Sequence, residues 1–230
     1  FVDTTGDGRA DMKSGSPVKI PGGTKISLPG VISDFDLDPT QLEFYAGYED
    51  GTVGFVRLDI NDNVFGTFFI DFNTQVRSLA TTDSTFIYYV LTQTDSLWRL
   101  TRTGSGGWSK TFVSNNIYPP AVGDLNRDGR LDVVLATPTG QINAWDRKGQ
   151  NLSGFPVQLS EKISSGPVLG DIDGDGFLEI VFTGENKIWA YNYNGAIANN
   201  FPIIVDITVP VGEIPSTVIL GDLTGDKISD

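Results

Sequence analysis

The stretch Gly170-Asp-Ile-Asp-Gly-Asp-Gly-Phe-Leu-Glu-Ile-Val-Phe182 decides how this chain is read. Oxygen-bearing side chains stand on alternate residues, Asp171, Asp173 and Asp175, and Glu179 follows four residues later. Counting Asp171 as position 1, the oxygens fall at positions 1, 3, 5 and 9, and Gly176 at position 6 permits a sharp turn. The loop runs straight into a short β-branched and aromatic run. That is the mark of a strand.

The same string occurs 47 residues earlier as Gly123-Asp-Leu-Asn-Arg-Asp-Gly-Arg-Leu-Asp-Val-Val-Leu135. The parallel continues past the loop. Ile142-Asn-Ala-Trp-Asp-Arg-Lys-Gly149 and Gly154-Phe-Pro-Val157 match Ile188-Trp-Ala-Tyr-Asn-Tyr-Asn-Gly195 and Asn200-Phe-Pro-Ile203. A further copy opens at Gly221-Asp222, and another at Val2-Asp3. Leu97-Trp-Arg-Leu-Thr-Arg-Thr-Gly104 repeats the Ile188 element, and Val56-Arg-Leu-Asp-Ile60 is a weaker echo. Each unit reads as strand, acidic loop, strand, turn, strand, turn, strand. Four strands per ~45 residues, with gaps too short for crossover helices, predict antiparallel sheets stacked as propeller blades. The fold class expected is all-β, a β-propeller. The blade units fall at about 1–30, 31–75, 76–118, 119–164 and 165–213, with a partial unit at 214–230, in one propeller domain.

The acidic loops suggest a chemistry. Four copies share the pattern: Asp3, Thr5, Asp7, Asp11; Asp124, Asn126, Asp128, Asp132; Asp171, Asp173, Asp175, Glu179; and Asp222, Thr224, Asp226, Asp230. Position 7 can add a backbone carbonyl, from Arg9, Arg130, Phe177 or Ile228. Hard oxygen ligands converging in a tight loop suit Ca²⁺. One such loop reads equally well as a solvated Asp/Gly turn; recurrence at one spacing argues for ligation. The last loop has Lys227 at position 6, with Gly225 two residues before it. An EF-hand is excluded, because position 12 is Leu135 or Phe182, inside an apolar strand. Asp34, Asp36, Asp38 and Glu43 form a poorer copy, with Pro39 at position 6 and Glu43 one residue late, and read as a plain turn.

Composition narrows the function. The 230 residues hold no Cys, no His and a net charge of −13. No disulfide, Cys/His zinc site or His-based catalysis is available. An acidic chain is a poor match for nucleic-acid phosphates, and no apolar run reaches the length of a membrane helix. Thirteen of the 29 acidic residues lie in the four loops, where carboxylates so close destabilise one another without a cation.

These Gly-Asp-x-[Asn/Asp]-x-Asp-Gly-x-x-[Asp/Glu] loops and Phe-Pro turns resemble the FG-GAP/VCBS repeat family, which includes the integrin α-chain propeller. The match is strong over 119–230, fair over 1–12 and weak over 31–118. The resemblance implies calcium loops bracing one face of a disc, often of seven blades, with ligands bound on other loops. The chain is expected to be part of a longer array. It also implies a secreted or cell-surface module that binds a protein or glycan, with Ca²⁺ as a structural cofactor. Absence of cysteine points to a prokaryotic source. Self-assembly as a subunit of an extracellular filament is the second reading. A polysaccharide-degrading propeller is the third, but no catalytic cluster is evident and no enzyme activity is expected.

Trp98 and Trp189 occupy equivalent positions, as do Leu100, Trp145 and Tyr191, and all are expected at packed blade faces. Trp108, after Gly104-Ser-Gly-Gly107, is the candidate for an exposed ring. Asn151-Leu-Ser153 is a glycosylation sequon.

Overall fold

A computed structural model describes residues 31–33, 41–47, 51–59, 64–81, 88–92, 94–101, 107–112, 118–205, 218–222, 224–225 and 228–229. Among these there is no helix. Four four-stranded sheets account for the strands, each pairing them in chain order. The first holds β1 (Val31–Ser33), β2 (Gln41–Gly47), β3 (Thr52–Asp59) and β4 (Val64–Asp71). The second holds β5 (Val76–Thr81), β6 (Tyr88–Thr92), β7 (Ser96–Leu100) and β8 (Trp108–Thr111). The third holds β9 (Ala121–Gly123), β10 (Asp132–Ala136), β11 (Gln141–Trp145) and β12 (Val157–Gln158). The fourth holds β13 (Val168–Gly170), β14 (Glu179–Gly184), β15 (Lys187–Tyr191) and β16 (Ile203–Ile204). The third and fourth are antiparallel throughout. These are the four-stranded blades of a β-propeller.

The chain divides into two compact units. One comprises Phe1–Val76 with Asp83–Phe86, the other Arg77–Thr82 with Ile87–Asp230. The first contains the β1–β4 sheet, whose long β2–β3 and β3–β4 pairings hold it together.

In the second unit, strand alternation builds a stack. Val133, Leu135 and Trp145 pack on Leu97, Trp108 and Phe112. The opposite parity, Val134, Ala136, Ile142 and Ala144, packs on Ile180, Phe182, Trp189 and Tyr191. The other side of the fourth sheet, Val181 and Ala190, meets Val218 and Leu220. A sheet covered on both faces needs apolar residues at every position. Hence β10 and β14 are buried along their whole length. The outer strand β16 carries exposed isoleucines.

Close approach between blades explains two motif glycines. A Cβ on Gly123 would lie 2.8 Å from Leu178 Cδ1 and 2.9 Å from Leu169 Cδ1; one on Gly170 would lie 2.8 Å from Leu220 Cδ1. At these two loops the glycine ahead of the turn sits where the next blade approaches closely. The Phe-Pro turns are also equivalent in detail, since Phe155-Pro156 and Phe201-Pro202 are both cis.

Most of the aromatic expectations hold. Trp145, Trp189, Tyr191 and Leu100 are buried, whereas Trp98 is 38 % exposed. Trp108 is not the exposed ring. Its Nε1 donates to the Arg147 carbonyl at 3.2 Å, and its ring tilts against Trp145 at 6.0 Å between centroids. The absence of a side chain at Gly149 gives the indole its seat: a Cβ there would lie 3.0 Å from the ring.

Candidate metal centre

Two of the four acidic loops are described completely, and each joins the inner strand of a blade to the next strand. In the first, β9 ends at Gly123 and β10 begins at Asp132. Asp124 accepts the Asp128 amide on Oδ1 at 3.0 Å and the Gly129 amide on Oδ2 at 2.9 Å. Asn126 Oδ1 also accepts the Asp128 amide, and Asp128 Oδ1 accepts the Arg130 amide. The second loop repeats this. Asp171 accepts from Gly174 and Gly176, Asp173 from Asp175, and Asp175 from Phe177. Such Asx turns curl the backbone tightly; among the described residues only the Asp171, Asp173 and Glu179 carboxylates converge, and those of Asp124, Asp128 and Asp132 do not gather as closely.

The curl needs positive φ at two positions. Position 6 is Gly129 (φ 79°) or Gly176 (φ 86°); position 4 is Arg127 (φ 58°), Gly174 (φ 80°) or Gly225 (φ 83°). The second requirement is legible in the sequence, because Gly6, Gly174 and Gly225 share position 4.

Position 9 closes each loop from inside a strand. Asp132 is 1 % exposed and so is Glu179. Asp132 Oδ2 accepts the Leu125 amide at 3.2 Å, and Glu179 Oε2 accepts the Ile172 amide at 3.0 Å. Burial pushes both carboxyls up to about 7, and the other carboxylates of each loop add to the rise. In the second loop the oxygens of Asp171, Asp173 and Glu179 gather within 4.8 Å of one another. Asp175, at position 5, stands outside that group. In the first loop Asp132 Oδ1 is buried with no hydrogen-bond partner. An orphaned carboxylate oxygen beside further oxygen ligands, with no nitrogen or sulfur among them, fits a hard cation such as Ca²⁺.

The third loop is described in part. Asp222 Oδ1 accepts the Gly225 amide at 2.5 Å, the bond made between Asp171 and Gly174. Thr224 is exposed, and the Ile228 side chain lies where a Cβ on Gly174 would meet it at 2.9 Å. Asp226 and Asp230 lie outside the described residues. So do Asp3, Thr5, Asp7, Arg9 and Asp11, and Asp34, Asp36 and Asp38 of the poorer copy.

The repeated loop, the strand after it and the blade they belong to have a counterpart among known families. Residues 124–182 and 171–230 each match the FG-GAP-like repeat. This region of the chain is made of FG-GAP repeats. No curated protein sequence matches the chain significantly. Among solved structures, the chain is similar to BBS1N in complex with ARL6DN, soaked with mercury, at 16 % identity and a TM-score of 0.49. The match covers 73 % of this chain and 48 % of that one. It is also similar to BamB from Moraxella catarrhalis, at 15 % identity and a TM-score of 0.47, over 72 % of this chain and 46 % of that one. The chain thus spans about half the length of the solved proteins it matches.

One group in this region escaped the sequence reading. Arg127 reaches from the first loop to the second, where its Nη1 donates to the Asp175 carbonyl at 3.3 Å. Its guanidinium lies 5.4 Å from the Phe177 ring centroid, and Phe177 stacks on Tyr193 at 4.3 Å. The signal was an arginine at a position held elsewhere by glycine.

Proposed function

We propose that this FG-GAP propeller is a calcium-stabilised binding module that works outside the cell, with Ca²⁺ in a structural role. The observation that carries this reading is the pair of loops whose position-9 carboxylates are buried, raised and, in Asp132, missing a partner. When bound, the ion supplies positive charge that lets these carboxylates stay ionised. The chain's own part is to hold Asp171, Asp173 and Glu179, or Asp124, Asn126, Asp128 and Asp132, on the strand ends of a packed blade. Backbone carbonyls of Phe177 and Arg130 complete the two sets. Exposed loops of this kind bind in the range of about 10⁻⁴ M, which suits millimolar extracellular calcium.

A protein is the favoured partner over a glycan. Ile203 and Ile204, on the outer strand of the fourth sheet, are 46 % and 68 % exposed, and Ile197 in the turn before it is 48 % exposed. Exposed aliphatic groups suit burial under another protein, whereas a sugar needs a flat ring; Trp108, Trp145 and Trp189 are committed to packing, which leaves Trp98 as the single tryptophan with an exposed face among the described residues. The reading is one of binding, without catalysis.

Ion counting tests the calcium claim. Equilibrium dialysis against 1 mM Ca²⁺ should find at least two ions per chain, and Asp171→Ala with Asp173→Ala should remove one of them. Equal ion counts in the two proteins, or none in either, would sink it.

A further inference from the structure

We propose that consecutive loops are coupled, and that Arg127 is the positioning residue through which the state of the 124–132 loop reaches the 171–179 site. This rests on the calcium reading above and extends it from separate sites to linked ones. The contact behind it recurs between neighbouring blades. Position 4 of one loop meets position 7 of the next: Arg127 lies over Phe177, and Gly174 lies beneath Ile228. Position 7 is also the residue whose backbone carbonyl the calcium reading makes a ligand. Whatever fixes position 4 in one loop therefore bears on a ligand-bearing residue of its neighbour.

At Arg127 this contact is strongest. A non-glycine residue at φ 58° costs conformational energy that glycine avoids. The side chain offsets the cost with a bond to the Asp175 carbonyl and a cation–ring contact on Phe177. It also fills the space above Gly176, where a Cβ would lie 2.5 Å from Arg127 Nη1. The guanidinium thus presses on positions 5, 6 and 7 of the second loop together. Its own backbone is held between Asn126 and Asp128, both of which belong to the first set of ligands. Gathering those ligands about an ion fixes the left-handed turn at Arg127 and sets its guanidinium in place before the second loop closes. The expected sign is positive, and by linkage the effect is reciprocal. Gly174 passes no such side chain to the third loop, so the 171–222 pair should be coupled more weakly.

The test follows the backbone amide of Gly174, which donates to Asp171 and has no Arg127 contact, by ¹⁵N NMR during a CaCl₂ titration, with the Gly176 and Phe177 amides as reporters of the Arg127 contact itself. Four full-length proteins are compared: the native chain, Asp124→Asn with Asp128→Asn, Arg127→Gly, and all three changes together. Arg127→Gly restores the glycine of the sister loops, so it relieves strain and leaves the fold intact. Disabling the first loop should weaken calcium binding at the second about fivefold when Arg127 is present, within the usual range for coupled sites. In the Arg127→Gly background the loss should fall below about twofold. An equal loss in both backgrounds, or none in the native chain, overturns the coupling and leaves the calcium sites standing. Amides that ignore calcium in all four proteins overturn both.

Discussion

In a chelator the melting temperature should fall by roughly 6–12 °C relative to 1 mM Ca²⁺ at pH 8, and the gap should narrow as the pH drops. At a Kd of order 10⁻⁴ M each ion adds about 1.4 kcal/mol. The two completely described loops together add about 3 kcal/mol, and a chain of this size moves about 2–4 °C per kcal/mol. The pH dependence has a definite sign. Asp132 and Glu179 are raised to about 7 in the folded chain, against about 4 for unfolded carboxyls. The folded, ion-free chain holds these protons more tightly than the unfolded one. Their stabilising contribution is present in full below about pH 4 and is lost as pH rises through about 7. The chelated protein should therefore melt progressively lower from pH 5 to pH 8. The calcium-loaded protein needs both groups ionised and should hold its melting temperature over the same range. Scanning calorimetry in paired buffers checks this. Parallel curves with and without calcium would show that the ion does not bind at the buried carboxylates.

Phe182→Ala should cost about 3–5 kcal/mol, the range for emptying a closed aromatic site. Phe182 is fully buried between the third and fourth sheets. It stacks on Tyr191 at 6.0 Å between centroids. Its layer includes Leu125, Ile142, Ile163 and Trp189, drawn from both blades, so neither blade can close the void alone. Phe182→Leu keeps most of the volume and should cost no more than about 1.5 kcal/mol. Urea unfolding followed by tryptophan fluorescence separates the two. A loss below about 1 kcal/mol in Phe182→Ala, well short of the usual cost of such a void, would mean that the blades do not share a packed core.

The sequence made the blades legible because their signals are local. Short unbroken apolar runs at Val133 to Ala136 and Ile180 to Phe182, together with loops of one spacing, mark both the strands and the ends that carry the ligands. The inward turn of Asp132 and Glu179 was also legible, as carboxylates at the head of an apolar run. What escaped lies between blades and joins residues one repeat apart. Gly123 and Gly170 lie against side chains of the next blade. Trp108 looked like a surface ring because a glycine-rich stretch precedes it, but its seat is Gly149 of the neighbouring sheet. Arg127 carries no local signal of its role, since only the fold sets it on Asp175 and Phe177. The 47-residue spacing shows that two units are alike, without showing which atoms of one touch the other.

The most direct measurement is an anomalous difference map from crystals grown in calcium. The account predicts one peak enclosed by Asp171, Asp173 and Glu179 and a second beside the orphaned Asp132 oxygen, each about 2.3–2.6 Å from its carboxylate ligands. Featureless density at both loops in millimolar calcium, with Asp132 and Glu179 bonded to water alone, would contradict it.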